Sequence, residues 1–408
     1  MPSSAARGTP IAPAEALLAD IHAFSALGPR TAHFVDGGIP YFVNEFWTAA
    51  QRRAHSLHEI SYRACFKPQL PEFFIARLTA PGDAVHDPFM GRGTTPLQAA
   101  LMGRRPIGND INPLSLLLTR PRLTPPTPAQ VAARLDEVTW ADGEAARDDL
   151  LAFYHPQTLR QLAALRAWLL RRAPLACSAP DPVDDWIRAV ALTRLTGHSP
   201  GFFSVYTLPP NQAVRVEAQI RINARRNQVP PQRDIAAIIR KKTLSLLKDG
   251  PPGAHPPADL SVGPASTTPH IAAGSVALVV TSPPFLDVVQ YESDNWLRCW
   301  FAGIEAGSVT VALHRSEASW TAMVRAVLTE QARLLRPGGH VAFEVGEIRR
   351  GTVLLERLVW QAAAGLPFDR LAVIVNKQPF TKTAHCWGIG NNAVGTNTNR
   401  IVLLRRTR

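Results

Sequence analysis

A short segment at the end of a predicted buried strand carries polar groups that could do chemistry. The aliphatic run at 276–280 is typical of a strand buried in a parallel sheet, and it stops at TSPPF, residues 281–285. The two prolines remove two backbone donors and restrict φ, so the chain leaves the strand in a rigid extended shape with its carbonyls exposed. The segment is therefore either a plain strand terminator or a rigid platform for a ligand.

A second segment places acids and glycines at the ends of two further predicted strands. In DPFMGRGTT, residues 87–95, Gly91 and Gly93 let the backbone approach a ligand before the threonines open a helix. The loop is neither GxGxxG nor GxxxxGKS, which disfavours a dinucleotide and a nucleoside triphosphate. Asp110, at the end of the next strand, could accept the ribose hydroxyls of a nucleoside-containing cofactor or cap a helix.

The elements around these motifs predict one α/β core. Residues 82–114 predict a strand, the glycine loop, a helix and a second strand, which is a βαβ unit. Beyond residue 260 we predict strands at 275–280, 340–347, 371–377 and 400–406 and a helix at 319–335. Because two strands cannot bury themselves, we expect 36–120 and 260–408 to share one parallel sheet.

The remaining parts of the chain differ from this core. Between 121 and 259 the alternation of strands and helices disappears, and the leucines of PQTLRQLAALRAWLLRR at 156–172 form a helical stripe. Proline-rich stretches at 123–128 and 248–260 bracket this region like linkers. We therefore predict a mostly helical inserted domain at 121–259 and a partly ordered N-terminal arm at 1–35.

The composition indicates a globular protein with an anionic partner. The 408 residues are 46% hydrophobic, and 44 Lys and Arg residues against 32 Asp and Glu residues give a net charge of +12. Such a balance favours nucleic acid. Window 215–242 holds eight basic and two acidic residues, so we predict phosphate contacts there unless it is an ordinary solvated face. The predicted DNA-binding residues are Arg225, Arg226, Arg233, Arg240, Lys241 and Lys242.

The cysteines and the hydropathy pattern exclude other classes. The four cysteines lack CxxC spacing, so we expect no metal site and no disulfide framework. No apolar stretch approaches the ~18 residues of a membrane span, and the N-terminus lacks the apolar core of a signal peptide. We expect a cytoplasmic protein.

Three of these segments together resemble a known family. DPFMGRGTT followed by GRRPIGNDINP is similar to the S-adenosylmethionine-binding loop and ribose-binding strand of the amino-group DNA methyltransferases, and TSPPF resembles their catalytic tetrapeptide. FKPQLPEFFI at 66–75 resembles the segment that closes over the methionine end of the cofactor, and LLRPGGHVAFEVGE at 334–347 resembles a later strand. The resemblance covers about 66–113 and 262–408.

The resemblance implies a Rossmann-like methyltransferase core with S-adenosylmethionine as cofactor. The catalytic residues that it implies are Ser282, Pro283, Pro284 and Phe285. The cofactor-binding residues that it implies are Phe66, Lys67, Pro68, Asp87, Phe89, Gly91, Gly93, Thr94, Thr95, Asp110, Asn112, Ala265 and Ser266.

The chemistry of that family explains the residue types in TSPPF. An exocyclic amine is a poor nucleophile because its lone pair is delocalised into the base. Acceptors at the Ser282 side chain and the Pro283 carbonyl would favour a pyramidal amine aimed at the methyl group, and the prolines would stop these acceptors from relaxing. The base must leave the duplex to reach them, and Phe285 is the residue expected to stack on it.

Two departures from the family pattern leave alternatives open. Pro264 stands where an acid usually meets the adenine of the cofactor, so we expect Ala265 or Ser266 to take that contact; the same departure fits a non-catalytic nucleic-acid-binding protein. Phe285 replaces the commoner tyrosine, which loses only a hydroxyl. Serine at the first position favours N4-cytosine, with N6-adenine as the alternative. No cysteine follows a proline, which disfavours a C5-cytosine mechanism.

The partners follow from the same resemblance. We expect a site-specific enzyme that acts on double-stranded DNA in the nucleoid, with the inserted domain as its target-recognition domain. RNA is a further substrate to test. The resemblance also suggests a DNA modification role in a restriction-modification system, with a cognate restriction endonuclease as a partner to test, and it leaves the oligomeric state open.

Overall fold

The computed structural model describes most of the chain. The described residues are 14–48, 54–62, 66–141, 143, 147–177, 179–207, 213–286, 291–309, 314–348, 353–378 and 397–407. Within them, no helix is long and apolar enough to cross a membrane, and no group of three or more histidine, cysteine, aspartate or glutamate residues could hold a metal ion.

The described strands form one large sheet and one small hairpin. The eleven strands are β1 (Ala32–Asp36), β2 (Ile39–Asn44), β3 (Ala84–Asp87), β4 (Arg105–Asp110), β5 (Asp259–Val262), β6 (Val276–Thr281), β7 (Leu335–Val345), β8 (Glu347–Ile348), β9 (Val353–Leu354), β10 (Phe368–Gln378) and β11 (Asn397–Arg406). The order in the large sheet is β1-β2-β10-β11-β7-β6-β3-β4-β5, and β8 pairs with β9.

The strand order confirms a doubly wound α/β fold. β5, β4, β3, β6 and β7 pair in parallel, whereas β11 is antiparallel to both of its neighbours, β7 and β10. The expectation of one parallel sheet is therefore wrong beyond β7, because β11 returns beside β10 and β7 in the opposite direction. The chain runs outward from β3 to β5 and then returns to β6 on the other side of β3. The direction of winding therefore reverses between β3 and β6, and a ligand crevice is expected at the carboxyl ends of these two strands.

Twelve α-helices accompany the strands among the described residues. They are α1 (Ala14–Ala23), α2 (Gln69–Leu78), α3 (Thr94–Leu101), α4 (Pro113–Leu123), α5 (Pro128–Asp136), α6 (Pro156–Arg172), α7 (Pro182–Leu192), α8 (Val216–Arg226), α9 (Ile235–Leu246), α10 (Tyr291–Ala302), α11 (Glu317–Leu334) and α12 (Leu355–Ala362). Helices α4 to α7 all begin with proline, and each is preceded by a residue whose side chain accepts a backbone N–H bond. Proline fits there because the first helical N–H has no partner within the helix.

The region between β4 and β5 is helical in its described part and packs directly on the sheet helices. Leu165, Trp186 and Ile239 of this region lie in the same buried cluster as Leu118 of α4 and Leu297 of α10. The described helices thus share one apolar core with the helices beside the sheet.

Ion pairs with partly or fully buried carboxylates also tie this region together. Arg120 of α4 contacts the buried Asp185 of α7 at 2.7 Å, and Arg172 of α6 contacts the buried Asp184 at 2.9 Å. Removing one partner of such a pair leaves an uncompensated buried charge, so we expect either change to destabilise this helix packing.

The first described residues extend the sheet beyond what the sequence indicates. β1 and β2 form a hairpin, and β2 pairs in parallel with β10. Leu17 and Ile21 of α1 are buried in the cluster on the same face as α2. Helix α1 lies within the predicted N-terminal arm, whereas the hairpin was not predicted from the sequence.

Candidate active site

The glycine loop is held in a backbone conformation that needs glycine. Gly91 has φ of 51° and Gly93 has φ of 75°. A Cβ atom on Gly93 would overlap the side chain of Thr119 in α4, so this glycine also lets α3 and α4 approach each other. A Cβ atom on Gly91 would meet only the Phe89 carbonyl oxygen, at 3.9 Å. The loop is therefore tight on its helix side and open at its tip.

Asp110 fixes this loop to the end of β4. Its Oδ2 accepts a hydrogen bond from the Gly91 N–H at 2.8 Å, and its Oδ1 accepts one from the Asn112 N–H at 2.9 Å. Burial raises the pKa of Asp110, although these bonds oppose the shift. Asn112 caps α4 by accepting a bond from the Leu114 N–H at 2.9 Å. Asp110 is still half-exposed, so its carboxylate remains accessible to a ligand.

Asp87 connects the glycine loop with the end of β6. Its Oδ1 accepts hydrogen bonds from the Thr281 hydroxyl at 2.6 Å and from the Phe89 N–H at 3.1 Å. Burial raises the pKa of Asp87 to about 7. In addition, Thr95 at the start of α3 donates to the Val280 carbonyl oxygen at 3.0 Å. The ends of β3 and β6 are therefore joined by side chains at the point where winding reverses.

The upstream segment lies against the glycine loop. Pro68 precedes α2, Phe66 is half-buried and Lys67 is exposed. Arg92, between the two glycines, donates to the Ile60 carbonyl oxygen at 3.2 Å and to the Phe66 carbonyl oxygen at 3.5 Å. Arg92 was not singled out from the sequence, and the structure shows that it holds the upstream segment beside the loop.

The turn that follows β5 lies beside the end of β4. The Gly263 N–H donates to the Asp110 carbonyl oxygen at 2.9 Å, and the Asn109 side chain donates to the Gly263 carbonyl oxygen at 2.9 Å. Ala265, which follows this turn, is half-buried, whereas Ser266 is exposed. Of the two residues predicted to meet an adenine ring, Ala265 is the one that presents partly covered apolar surface.

The TSPPF segment is fixed from several directions. Pro283 is buried, and the Trp320 indole N–H of α11 donates to the Pro284 carbonyl oxygen at 2.9 Å. The Phe285 ring lies against Gly346, where a Cβ atom would approach its Cε2 atom to 2.7 Å. A side chain at position 346 would therefore displace the ring, which explains a glycine directly after β7.

A buried glutamate, which the sequence argument missed, contacts Ser282. Glu344 of β7 is 5% exposed, and its carboxyl group is hydrogen-bonded to the Ser282 side chain. The Asn399 side chain of β11 donates to Glu344 Oε1 at 2.8 Å. Burial raises the pKa of Glu344 despite both bonds. The available signal was a single acid inside the apolar run VAFEV, which is unusual because charged residues are rarely buried without a partner.

The six predicted DNA-binding residues lie on two helices and the connection between them. Arg225 and Arg226 end α8, Arg233 lies in the connection, and Arg240, Lys241 and Lys242 lie on α9. Their surroundings differ. Arg225 and Lys241 are exposed, and Arg226 stacks on the Tyr206 ring with its guanidinium carbon 3.8 Å from the centroid.

The other three basic residues have partners within the protein or are partly covered. Arg240 forms an ion pair with Asp136, and Lys242 lies 3.8 Å from a carboxylate oxygen of Glu59. Arg233 is half-buried, and its backbone bonds to Thr158. Burial lowers the pKa of Lys242 to about 8. The charged groups of Arg225, Arg226 and Lys241 are therefore the most solvent-exposed of this set.

Comparison with known proteins matches the residues around the glycine loop. A family model described as DNA methylase, covering N6 and N4 methyltransferases, matches residues 40–117. The Type II methyltransferase M.MjaII of Methanocaldococcus jannaschii is 42% identical over 72 residues, which are 18% of this chain and 13% of the relative. The Type II methyltransferase M.MvaI of Kocuria varians is 29% identical over 97 residues, 23% of this chain and 21% of the relative.

The matched share of each relative is small, and similarity to solved structures is loose. The alignments span less than a quarter of the length of these two relatives. A crystal structure of TrmN from Thermus thermophilus superposes over 84% of this chain and 50% of its own, with 13% identity and a TM-score of 0.33. Over residues 40–117 and in these two alignments, the chain is thus similar to the amino-group DNA methyltransferases, as the sequence motifs indicate, and the matches do not distinguish N4 from N6.

Proposed function

We propose that this protein is an amino-group DNA methyltransferase that transfers a methyl group from S-adenosylmethionine to the N4 amine of a cytosine flipped out of duplex DNA. The observation that carries the proposal is the position of Ser282-Pro283-Pro284-Phe285. This segment leaves β6 at the winding reversal, and Thr281 joins it to Asp87 of the glycine loop. Cofactor loop and catalytic loop thus meet at one sheet edge.

The residues at this edge fit S-adenosylmethionine. The cofactor carries ribose hydroxyls, a positive sulfonium and a positive amino group, and Asp110 and Asp87 provide carboxylates at the ends of β4 and β3. The open tip at Gly91 leaves room above the loop. In the proposal, Asp110 accepts the ribose hydroxyls, Asp87 lies on the side of the positive groups, and Ala265 covers the adenine. When bound, the cofactor supplies an electrophilic methyl group.

The catalytic loop supplies the acceptors for the substrate amine. The Trp320 indole already occupies the Pro284 carbonyl, so the proposal assigns the Ser282 oxygen and the Pro283 carbonyl to the two amine hydrogens. Such acceptors draw the lone pair out of conjugation and position it, and they need no reorganisation during reaction. Phe285 has a half-buried ring backed by Gly346, which suits it to stack on a flipped base.

The choice of base rests on Ser282. Serine at this position resembles the N4-cytosine enzymes, and N6-adenine is the alternative. Stacking on Phe285 gives no separate preference, because either base presents an exocyclic amine and a flat ring.

DNA binding completes the proposal. Arg225, Arg226 and Lys241 are exposed or stacked cations on α8 and α9, and a duplex offers regularly spaced phosphates to such a surface. We propose that the described helices between β4 and β5 form the target-recognition surface.

The test is mass analysis of nucleosides after incubating duplex DNA with the purified protein and S-adenosylmethionine. We expect N4-methylcytosine. N6-methyladenine would show that the base assignment is wrong and the reaction class right. DNA binding without methyl transfer, unchanged in Ser282→Ala, would establish the non-catalytic alternative. A preference for structured RNA in a competition experiment would contradict the DNA assignment.

A further inference from the structure

Glu344 is a buried acid whose described hydrogen-bond partners both lie at the catalytic edge. The register of β6 and β7 pairs Thr281 with Phe343, so Ser282 and Glu344 follow as the next residues along the two parallel strands. Asn399 reaches Glu344 from the other side, where β11 pairs with β7. Glu344 thus lies between the catalytic serine and the start of the last strand.

A buried carboxylate at this place has an energetic cost that a purely structural role does not explain. Burying an ionised carboxylate without full pairing is strongly unfavourable, and the chain neighbours of Glu344 in β7 are apolar. Ala342 and Val345 beside it are buried and apolar. The Glu344 carboxyl group is hydrogen-bonded to two neutral side chains, those of Ser282 and Asn399.

The bond to Glu344 determines what Ser282 can do. A serine hydroxyl has one hydrogen and two lone pairs. When Glu344 is ionised it can only accept, so Ser282 must donate its hydrogen to Glu344, and both hydroxyl lone pairs remain for a substrate. When Glu344 is protonated it can donate to the Ser282 oxygen, which consumes a lone pair and frees the hydroxyl hydrogen to point at the amine.

We propose that ionised Glu344 is a positioning residue that fixes Ser282 as an acceptor for the target amine and takes up the proton released by methylation. This inference rests on the proposed methyl transfer. The amine lone pair forms the N–C bond while the C–S bond breaks and leaves its electron pair on sulfur. The cationic nitrogen then gives a proton to the Ser282 oxygen as Ser282 gives its own to Glu344. The products are a neutral methylated amine, a thioether and protonated Glu344.

The methyl-transfer rate should depend on pH through the protonation state of Glu344. The pKa of Glu344 is raised by burial, and the hydrogen bonds from Ser282 and Asn399 oppose that shift. The strands around Glu344 carry other charged or titratable groups. Asp87 of β3 has a pKa of about 7, and burial lowers the pKa values of His86 of β3 and His340 of β7 to about 4. Arg400 of β11 is paired with Glu356, and Lys67 before α2 is exposed. Because a raised pKa means protonation at higher pH, the active form of Glu344 is lost as pH falls through that value.

The experiment is single-turnover methyl transfer to duplex DNA, with enzyme in excess, from pH 5 to pH 9. The wild type is expected to lose rate on the acid side. Glu344→Gln should lower the rate on the order of 10²-fold, because its amide can donate a hydrogen bond to the Ser282 oxygen. The variant should also lack the acid limb, meaning the fall of the rate at low pH that protonation of Glu344 causes. Glu344→Asp should recover part of both the rate and the pH dependence. Cofactor affinity, measured by calorimetry, should stay within about threefold in all three proteins.

Glu356→Gln is the matched control. Glu356 of α12 is another buried glutamate, paired with Arg400 at 2.7 Å, so its replacement should lower thermal stability while leaving the acid limb unchanged. If Glu344→Gln keeps the wild-type rate, or keeps the acid limb because Asp87 causes it, the inference about Glu344 is wrong although methyl transfer stands. If the wild type transfers no methyl group at any pH, the proposed function itself fails.

Discussion

The two sides of the sheet edge are built in different ways. At the glycine loop, polar groups close in sequence satisfy each other, as when Asp110 accepts bonds from the backbone of Gly91 and Asn112. At the catalytic loop, the partners come from distant parts of the chain, including Glu344 and Trp320. The first side is shaped by local backbone geometry and the second by tertiary packing.

This difference assigns different roles to the two sides. A loop whose tip is fixed by nearby backbone bonds suits binding of a cofactor, although Asp87 and Thr95 also join its two ends to β6. A loop whose acceptors are oriented by side chains from β7 and α11 can be tuned without changing the cofactor site. Changes on the catalytic side should therefore affect rate, and changes on the glycine-loop side should affect cofactor affinity.

The largest expected effect is that of Ser282→Ala. Removing one of two preorganised partners of the reacting group typically costs 10²–10³-fold, or about 3–4 kcal/mol. We expect that loss in the single-turnover rate, with cofactor affinity unchanged in calorimetry. Ser25, an exposed serine in the N-terminal arm, gives a matched control, because Ser25→Ala should leave the rate unaltered. A loss of cofactor affinity as large as the loss of rate would contradict the assignment of rate to the TSPPF side and of cofactor affinity to the glycine-loop side.

The next effect concerns Asp87 on the glycine-loop side. Burial raises the pKa of Asp87 to about 7, and a cationic cofactor binds better to its ionised form. Cofactor affinity should therefore rise with pH, by up to about tenfold between pH 6 and pH 8. Asp87→Asn should bind more weakly and show a flat profile. An unchanged slope in the variant would mean that another group titrates.

The same raised pKa has a consequence for stability without cofactor. The folded-state pKa of Asp87, about 7, lies above the ordinary value of 3.8. The contribution of Asp87 to stability is therefore fully present below pH 3.8 and is lost as pH rises through 7. The cofactor should offset this loss at high pH, which thermal unfolding with and without cofactor can measure.

A smaller effect is expected for Trp320→Phe. The change removes the indole N–H that donates to the Pro284 carbonyl while it keeps most of the buried ring. A typical net loss of about 1 kcal/mol corresponds to a roughly fivefold slower single-turnover rate. Trp186→Phe is the control, because Trp186 is equally buried and donates to Thr243 among the helices before β5. Equal rate losses in both variants would indicate general destabilisation.

The smallest effect per residue is expected for DNA affinity when the basic residues of α8 and α9 are changed. These helices lie outside both the glycine loop and the TSPPF segment. Arg225→Ala combined with Lys241→Ala should weaken DNA binding about equally for all sequences and reduce the salt slope of log Kd by about two. Arg30→Ala, an exposed arginine outside the 215–242 window, should leave the slope unchanged. Filter binding at several salt concentrations would measure both. An unchanged slope in the double variant would remove α8 and α9 from the DNA surface.

The same contrast explains what the sequence could predict. The βαβ unit, the positions of Asp87 and Asp110 and the closing strands were correctly predicted, because each depends on residues within a few tens of positions. Glu344, Gly346 and Trp320 were missed since their roles arise from pairing of β6 with β7 and packing of α11, which no short pattern shows. The β1–β2 hairpin was missed for a similar reason, because it is defined by its pairing with β10.

The central claim is that Ser282 presents a flipped cytosine to a methyl donor bound at the glycine loop. Single-molecule sequencing of DNA from cells that express this chain tests it most directly, since base, position and sequence context are read together. We predict N4-methylcytosine at one recurring sequence, and its disappearance in cells that express Ser282→Ala. Methylated adenine, or identical modification with both proteins, would contradict the claim.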